Sequence, residues 1–170
     1  MNKKIFSLDA ETNGLWGQAF SIGCVWTTEN GEVKQFVGRC PIEGEVDEWV
    51  SQNVLPKMEE IPITHSSYKE LLKSFMEVYM KEKEGADVIV HMGLPVEARL
   101  FMDAHNLSII GDWDAPYPLI DVSAYKEIND SVDNYNQKNG LKVPPCTGGT
   151  HNPIYDSYAA LLAYQHYIKK

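Results

Sequence analysis

The sequence predicts an α/β domain with a mixed five-stranded sheet flanked by helices. Two observations lead to this fold class. Three strand-like segments near the amino terminus are joined by short turns, which is typical of an antiparallel meander. Two further short apolar segments then alternate with helical patterns, as strands of helix-linked parallel units do. The 170 residues suit a single domain spanning residues 1–170.

The predicted meander is defined by its turn residues. Residues 4–9 form the first strand, and Asn13-Gly14 marks the turn after it. The second strand is predicted over Ala19–Thr27, and Asn30-Gly31 is a two-residue hairpin signal. Residues 32–40 are therefore expected to form the third strand, antiparallel to the second.

Helices and single strands are predicted to follow. A short helix capped by Asp47 should end before Pro56. A longer helix begins at Ser67, which has capping-box spacing to Glu70. Residues 86–91 are predicted to form a strand covered on both faces, because their centre is a continuous apolar run.

The carboxyl-terminal half continues the alternation of helix and strand. Pro95 is expected at the first position of a helix, and residues 117–122 form a short strand. The last helix begins at Pro153, with Asn152 as its N-cap. Residues 129–150 are predicted to be one long irregular segment, which in a compact domain is usually functional or mobile.

Composition limits the function classes. The formal charge of -9 and a pI near 5.0 argue against a protein that coats long nucleic acid, but not against an enzyme acting on a nucleic-acid end. Cys24, Cys40 and Cys146 are odd in number and widely spaced, which favours a reducing, cytoplasmic setting. Neither a secretion signal nor an apolar run long enough to span a membrane is found.

One carboxylate ends the first predicted strand, and a second follows two residues later. Asp9 and Glu11 are two residues apart, so both project to the same face. Like charges at this separation repel, and a divalent cation would remove the conflict because hard cations prefer carboxylate oxygens. The alternative is that the strand frays here and both side chains are solvated.

Three further residues could join this pair. Glu97 begins an otherwise apolar helical stripe, so it needs a partner such as an ion, unless the helix N-terminus alone stabilises it. Asp156 lies in the first turn of the last helix, where the helix dipole is the alternative explanation. His151 stands just before that helix and is a candidate general base, or else an ordinary surface residue.

These residues together resemble the DEDDh family of 3′-to-5′ exonucleases. Its first motif, Asp-x-Glu-Thr, is matched by "DAETNGL", and its third, His-x4-Asp, by "HNPIYD". The order of elements is similar to the ribonuclease-H-like fold over nearly the whole chain. The second motif departs from the pattern, because Met92 and Val96 replace an asparagine and an aspartate and Glu97 comes one residue later. In this respect the chain looks like small bacterial and phage exoribonuclease members.

The resemblance implies a mechanism and a set of site residues. Two Mg²⁺ or Mn²⁺ ions would be held by four carboxylates, and His151 would act as the general base for hydrolysis to nucleoside 5′-monophosphates. The metal ligands would be Asp9, Glu11, Glu97 and Asp156. Thr12 would contact the 3′ end, while Leu15 and Trp16 would pack on bases or, alternatively, form an apolar lid on the sheet edge.

The expected substrate is the 3′ end of single-stranded nucleic acid, with RNA slightly favoured over DNA. Family members often form homodimers, so a homodimer is a further expectation. Two rival functions stay open at this point. One is an inactive ribonuclease-H-like module that binds nucleic acid or another partner, and the other is a phosphohydrolase of free nucleotides.

Overall fold

A computed structural model describes residues 3–129, 131–146 and 149–170, and its sheet has the predicted composition. The strands are β1 (Lys4–Thr12), β2 (Ala19–Thr27), β3 (Val33–Arg39), β4 (Ala86–Val90) and β5 (Ile120–Asp121). Their order across the sheet is β3-β2-β1-β4-β5. The first three strands pair antiparallel, whereas β4 is parallel to both β1 and β5. The mixed five-stranded sheet is therefore confirmed.

Helices flank this sheet, with helix starts close to those predicted. They are α1 (Glu48–Asn53), α2 (Tyr68–Glu82), α3 (Val96–Asn106), α4 (Val132–Lys138) and α5 (Pro153–Tyr167). Short 3-10 turns occupy Leu55–Met58 and Val122–Ala124. The side chains of Asp47, Ser67 and Asn152 accept backbone hydrogen bonds at the starts of α1, α2 and α5, as predicted. No helix in the described ranges has both the length and the apolar character needed to cross a membrane.

The start of α3 differs from the prediction by one residue. Pro95 is the N-cap and Val96 is the first helical residue, so Glu97 occupies the second position and not the third. The Arg99 backbone N–H donates to the Pro95 carbonyl at 3.1 Å, which makes Pro95 the first acceptor of the helix. Glu97 still heads a stripe of buried apolar residues that continues to Ala104.

The predicted irregular segment contains a helix, so the prediction of one long loop was wrong. Ser131 caps α4 by accepting a hydrogen bond from the Asn134 backbone N–H at 3.1 Å. Asn136 donates from Nδ2 to the Ala159 carbonyl of α5 at 2.9 Å, and Tyr135 is buried in the same cluster. These tertiary contacts stabilise a helix too short and polar to be recognised by periodicity. Residues 130, 147 and 148 of that segment lie outside the described residues.

The two faces of the sheet bury separate cores. Phe6 and Leu8 of β1 pack with residues of α2 and α3 on one face. Ile5 is one position out of phase with them along the strand and packs with α5 on the other face. Since side chains alternate along a strand, Asp9 and Glu11 share the face of Ile5 and project toward α5.

A glycine allows α5 to lie close to the sheet at this point. Gly23 of β2 is the register partner of Asp9. A Cβ on Gly23 would lie 2.8 Å from the Pro153 carbonyl carbon, closer than real Cβ contacts come. The Ser157 hydroxyl donates to the Gly23 carbonyl at 3.2 Å. The first turn of α5, which carries Asp156, is therefore held directly beside Asp9.

Candidate active site

Three carboxylates converge where β1 meets the first turn of α5. One oxygen from each of Asp9, Glu11 and Asp156 lies within 4.8 Å of the others. The strand does not fray here, because β1 remains paired with β2 from Asp9 through Thr12, with one irregularity between Glu11 and Thr12. The two strand carboxylates are thus fixed in direction, and the alternative of solvated side chains at a fraying end does not describe this site.

Glu97 approaches the same place from the other side of β1. Its Oε1 accepts a hydrogen bond from the Ala10 backbone N–H at 2.9 Å, and the residue is only 3% exposed. β4 pairs with β1 only as far as Ser7 and Ile89, so the side chain supplies a partner beyond the end of that pairing. Glu97 is not among the residues whose oxygens lie within 4.8 Å of one another, yet its charge acts on Asp9 and Glu11.

His151 lies at the edge of the cluster in a left-handed backbone conformation, with φ of 68°. Its backbone N–H donates to Asp156 Oδ2 at 2.9 Å, which ties the residue to α5. The ring nitrogen Nδ1 is 3.9 Å from Glu11 Oε1, and the side chain is 39% exposed. Burial lowers the pKa of His151, and Lys57 lowers that pKa further. A neutral imidazole, able to accept a proton, is therefore favoured.

An aromatic contact to His151 was not foreseen from the sequence. The Trp49 ring of α1 lies edge-on to the His151 ring, with centroids 5.4 Å apart and an interplanar angle of 86°. The start of α1 is in turn fixed to the loop after β1, because the Asp47 backbone N–H donates to Asn13 Oδ1 at 2.8 Å. A single exposed tryptophan in a short helix carries no sequence signal for this placement.

The residues assigned to substrate contact lie at the end of β1 and in the loop after it. Thr12 ends the strand, and Leu15 and Trp16 are 64% and 71% exposed in the next loop. Side chains so exposed cover little of the sheet edge, which argues against the apolar-lid alternative. The Arg99 guanidinium of α3 donates from Nη1 to the Trp16 carbonyl at 2.6 Å.

Val96 and Glu97, at the start of α3, face different parts of the structure. Val96 is partly buried and packs against the α2–α3 core, whereas Glu97 faces the acidic cluster. Asp121 accepts hydrogen bonds from the backbone N–H groups of Met92 and Gly93 at 2.9 and 3.0 Å. That carboxylate therefore fixes the turn that leads into α3. A glutamate one residue after the expected position can face the cluster because Val96 takes the core position.

Comparison with solved structures bears on this arrangement. The fold is similar to that of exonuclease I, with 11% identity, a TM-score of 0.63 and coverage of 99% of this chain and 41% of that one. It is also similar to exonuclease X in complex with 5′ overhanging duplex DNA, with 17% identity, a TM-score of 0.58 and coverage of 96% and 92%. This chain has a ribonuclease-H-like fold.

The likeness to these structures is one of fold and not of sequence. The chain spans about two fifths of the length of exonuclease I, the first of these structures. The sequence itself matches no protein-family model and no curated protein. At these identities the likeness establishes the ribonuclease-H-like fold alone, since one fold can support different chemistries.

The electrostatics of this ribonuclease-H-like site favour protonation of its acids in the absence of a cation. Burial raises the pKa of Asp9, and the charges of Asp156, Glu97 and Glu11 raise it further. Burial also raises the pKa values of Glu11, Glu97 and Asp156, although backbone hydrogen bonds partly offset the effect for the last two. Each of the four carboxyl groups is therefore harder to ionise than an exposed one.

The donor set fits a hard divalent cation. Asp9 Oδ2 is buried and accepts no hydrogen bond from the residues that the structure describes. A buried carboxylate oxygen in this state is costly unless a positive charge is beside it. Mg²⁺ and Mn²⁺ prefer carboxylate oxygens, so the cluster could hold such an ion.

Metal-free stability should depend on pH in a direction set by these shifts. Each carboxyl has a folded pKa above its unfolded value, so the folded state holds more protons than the unfolded state above about pH 4. In EDTA the free energy of unfolding should therefore fall as the pH is raised from about 5 to about 8. Denaturant titrations at several pH values measure this slope.

Manganese should reverse this loss of stability. At a fixed concentration about a hundredfold above its dissociation constant at pH 8, the ion adds roughly 2.7 kcal/mol to the free energy of unfolding at that pH. The gain should be larger near pH 8 than near pH 5, because the ion competes with protons for the carboxylates. An equal or absent gain at both pH values would contradict metal binding by this cluster.

Proposed function

We propose that this chain is a metal-dependent 3′-to-5′ exonuclease of the DEDDh type, acting on single-stranded nucleic acid and releasing nucleoside 5′-monophosphates. The observation that carries the proposal is the convergence of Asp9, Glu11 and Asp156, with Glu97 and His151 beside them. Its ribonuclease-H-like fold is shared with two exonucleases, which supports the same chemistry. The second motif favours the small bacterial and phage exoribonuclease-like members, and hence RNA over DNA.

The four carboxylates would hold two Mg²⁺ or Mn²⁺ ions. Bound ions of this kind lower the pKa of water and neutralise charge on the scissile phosphate and the departing 3′ oxygen. For its part, the protein keeps Asp9 and Glu11 pointing to one face of β1 and holds Asp156 against them through Gly23. Glu97 is oriented by its hydrogen bond to the Ala10 backbone. Such fixed geometry lowers the reorganisation needed during reaction.

His151 would act as the general base. Its Nδ1 is turned toward the carboxylates, 3.9 Å from Glu11 Oε1, and would accept the proton of the attacking water. The backbone bond to Asp156 keeps the ring beside the cluster while the side chain stays partly open to solvent. A partly exposed imidazole can then release the proton to bulk water after each cleavage.

Recognition of the substrate would involve the segment that follows β1. Thr12 lies next to the ligands and would contact the terminal nucleotide, while the exposed Leu15 and Trp16 would pack on bases without sequence preference. The net charge of -9 fits action on a short strand or a chain end, since counterion release along a duplex needs a basic surface.

A 5′-labelled oligonucleotide tests the proposal. Matched single-stranded RNA and DNA, incubated with the protein and Mn²⁺, should give a ladder with one-nucleotide steps and free 5′-monophosphates. Neither a strand with a blocked 3′ hydroxyl nor the Asp9→Asn variant should give the ladder. An unchanged oligonucleotide that binds the protein would instead indicate an inactive module. Hydrolysis of mononucleotides without any effect on oligomers would indicate a nucleotide phosphohydrolase.

A further inference from the structure

The segment Leu15–Trp16 is exposed in its side chains but held through its backbone. The Asn13 backbone N–H donates to the Gln18 carbonyl at 3.1 Å, which closes the loop at its base. The tip is held from another element, because Arg99 Nη1 of α3 donates to the Trp16 carbonyl at 2.6 Å. A guanidinium hydrogen bond is stronger than one between neutral groups.

Arg99 is itself held in place by Asp103, which is in turn held by Tyr68. Its Nε lies 3.5 Å from Asp103 Oδ2, one helical turn further along α3. The same Asp103 oxygen accepts a hydrogen bond from the hydroxyl of Tyr68 at 2.8 Å. Tyr68 is buried at the start of α2, and burial together with the Asp103 contact raises the pKa of its hydroxyl, which therefore stays a donor. A chain of contacts thus runs from the α2–α3 core to the Trp16 backbone.

Two side chains of α3 therefore form hydrogen bonds to the backbone of β1 and of the loop after it. Glu97 holds the strand at the Ala10 N–H, and Arg99, two residues later, holds the following loop at the Trp16 carbonyl. The two side chains point to different sides of α3, but both contacts come from one helix, so β1 and the loop after it are tied to the same rigid element. Without Arg99 the tip would keep its closing bond at Asn13 but lose the contact that fixes its direction.

We propose that Arg99, oriented by Asp103 and Tyr68, is a positioning residue that fixes the Leu15–Trp16 segment beside the acidic cluster and so sets affinity for the terminal nucleotides. The part that concerns nucleotides rests on the proposed function. The positioning itself does not, because it is a property of the protein without substrate.

Limited digestion with chymotrypsin tests the positioning without any activity. This protease cleaves after large apolar residues, and mass spectrometry reports cleavage at Leu15 and Trp16 separately from other sites. In EDTA, Arg99→Ala should speed cleavage at these two positions about tenfold, as expected for loss of a charge-assisted hydrogen bond. Tyr68→Phe and Asp103→Asn should act in the same direction. The matched control is Lys81→Ala, which removes an exposed positive charge from α2 and should leave cleavage unchanged.

Kinetics on a labelled oligonucleotide test whether this positioning sets the affinity for the terminal nucleotides. Arg99→Ala should raise KM about tenfold while kcat stays within about twofold, because the lost contact concerns binding and not the reacting atoms. Tyr68→Phe should show the same split although its ring is buried, and Arg99→Lys should recover part of the affinity. Unchanged cleavage at Leu15 and Trp16 in both Arg99→Ala and Tyr68→Phe would overturn the proposal. Faster cleavage in a protein without nuclease activity would uphold the positioning and reject the proposed function alone.

Discussion

The Asp9→Asn variant should lose exonuclease activity on the order of a thousandfold, while its metal-free form becomes more stable than the native protein. Removing one ligand of a two-ion site withdraws several kcal/mol of transition-state stabilisation, and each 1.36 kcal/mol corresponds to about tenfold in rate. Among the proposed ligands, Asp9 is the one affected by the charges of all three other acids, because Asp156, Glu97 and Glu11 each raise its pKa.

The gain in metal-free stability follows from the same crowding of carboxylates. Asp9 Oδ2 is buried without a hydrogen-bond donor among the described residues, and burial and three neighbouring acids raise its pKa. Asparagine has nearly the same shape and carries no charge, so it removes the free-energy cost of ionising or protonating a carboxyl group at this position without leaving a cavity. We expect a gain of roughly 1–2 kcal/mol in the free energy of unfolding near neutral pH.

Denaturant unfolding in EDTA and in Mn²⁺ measures both halves of this prediction. The variant should be the more stable protein in EDTA and the less stable one in Mn²⁺, because it gains less from the ion. Glu29→Gln serves as the control, since it neutralises an exposed acid in the β2–β3 turn. An ordinary core substitution destabilises a protein. If Asp9→Asn did the same in EDTA, that result would contradict the view that these acids repel one another.

The sequence predicted those parts of the site that depend on local geometry. Alternation along β1 placed Asp9 and Glu11 on one face, and the Asn152 cap with Pro153 after it placed Asp156 in the first turn of α5. Glu97 was recognised because it begins an otherwise apolar helical stripe. In each case the spacing within one element decides the direction of the side chain.

The features that were missed depend on contacts between distant elements. The α4 helix was predicted as loop because its stability comes from packing on α5, as in the Asn136 bond to the Ala159 carbonyl. Trp49 meets His151 only because α1 is fixed to the loop after β1. Arg99 bonds a backbone carbonyl 83 positions earlier in the chain. No local pattern encodes such pairs, since each results from how the layers pack.

The His151→Asn variant should lower kcat by about a hundredfold to ten-thousandfold while KM changes little, as expected for removal of a general base. The choice of asparagine follows from the backbone. His151 has φ of 68°, a left-handed conformation that asparagine tolerates better than alanine does. His151→Ala would therefore add backbone strain to the loss of the imidazole, and its effect on activity could not be assigned to either cause.

Manganese binding distinguishes loss of the His151 imidazole from loss of the metal site. In His151→Asn the backbone N–H remains available to Asp156, so the stabilisation of the protein by Mn²⁺ should stay close to that of the native chain. Added imidazole should restore part of kcat, since the side chain is partly open to solvent and leaves room for a small base. The control is His105→Asn, which alters an exposed histidine paired with Asp112 and should leave kcat unchanged. If His151→Asn retained kcat within about tenfold, a general base would have to be sought elsewhere, because proton transfer by a positioned side chain contributes more than that.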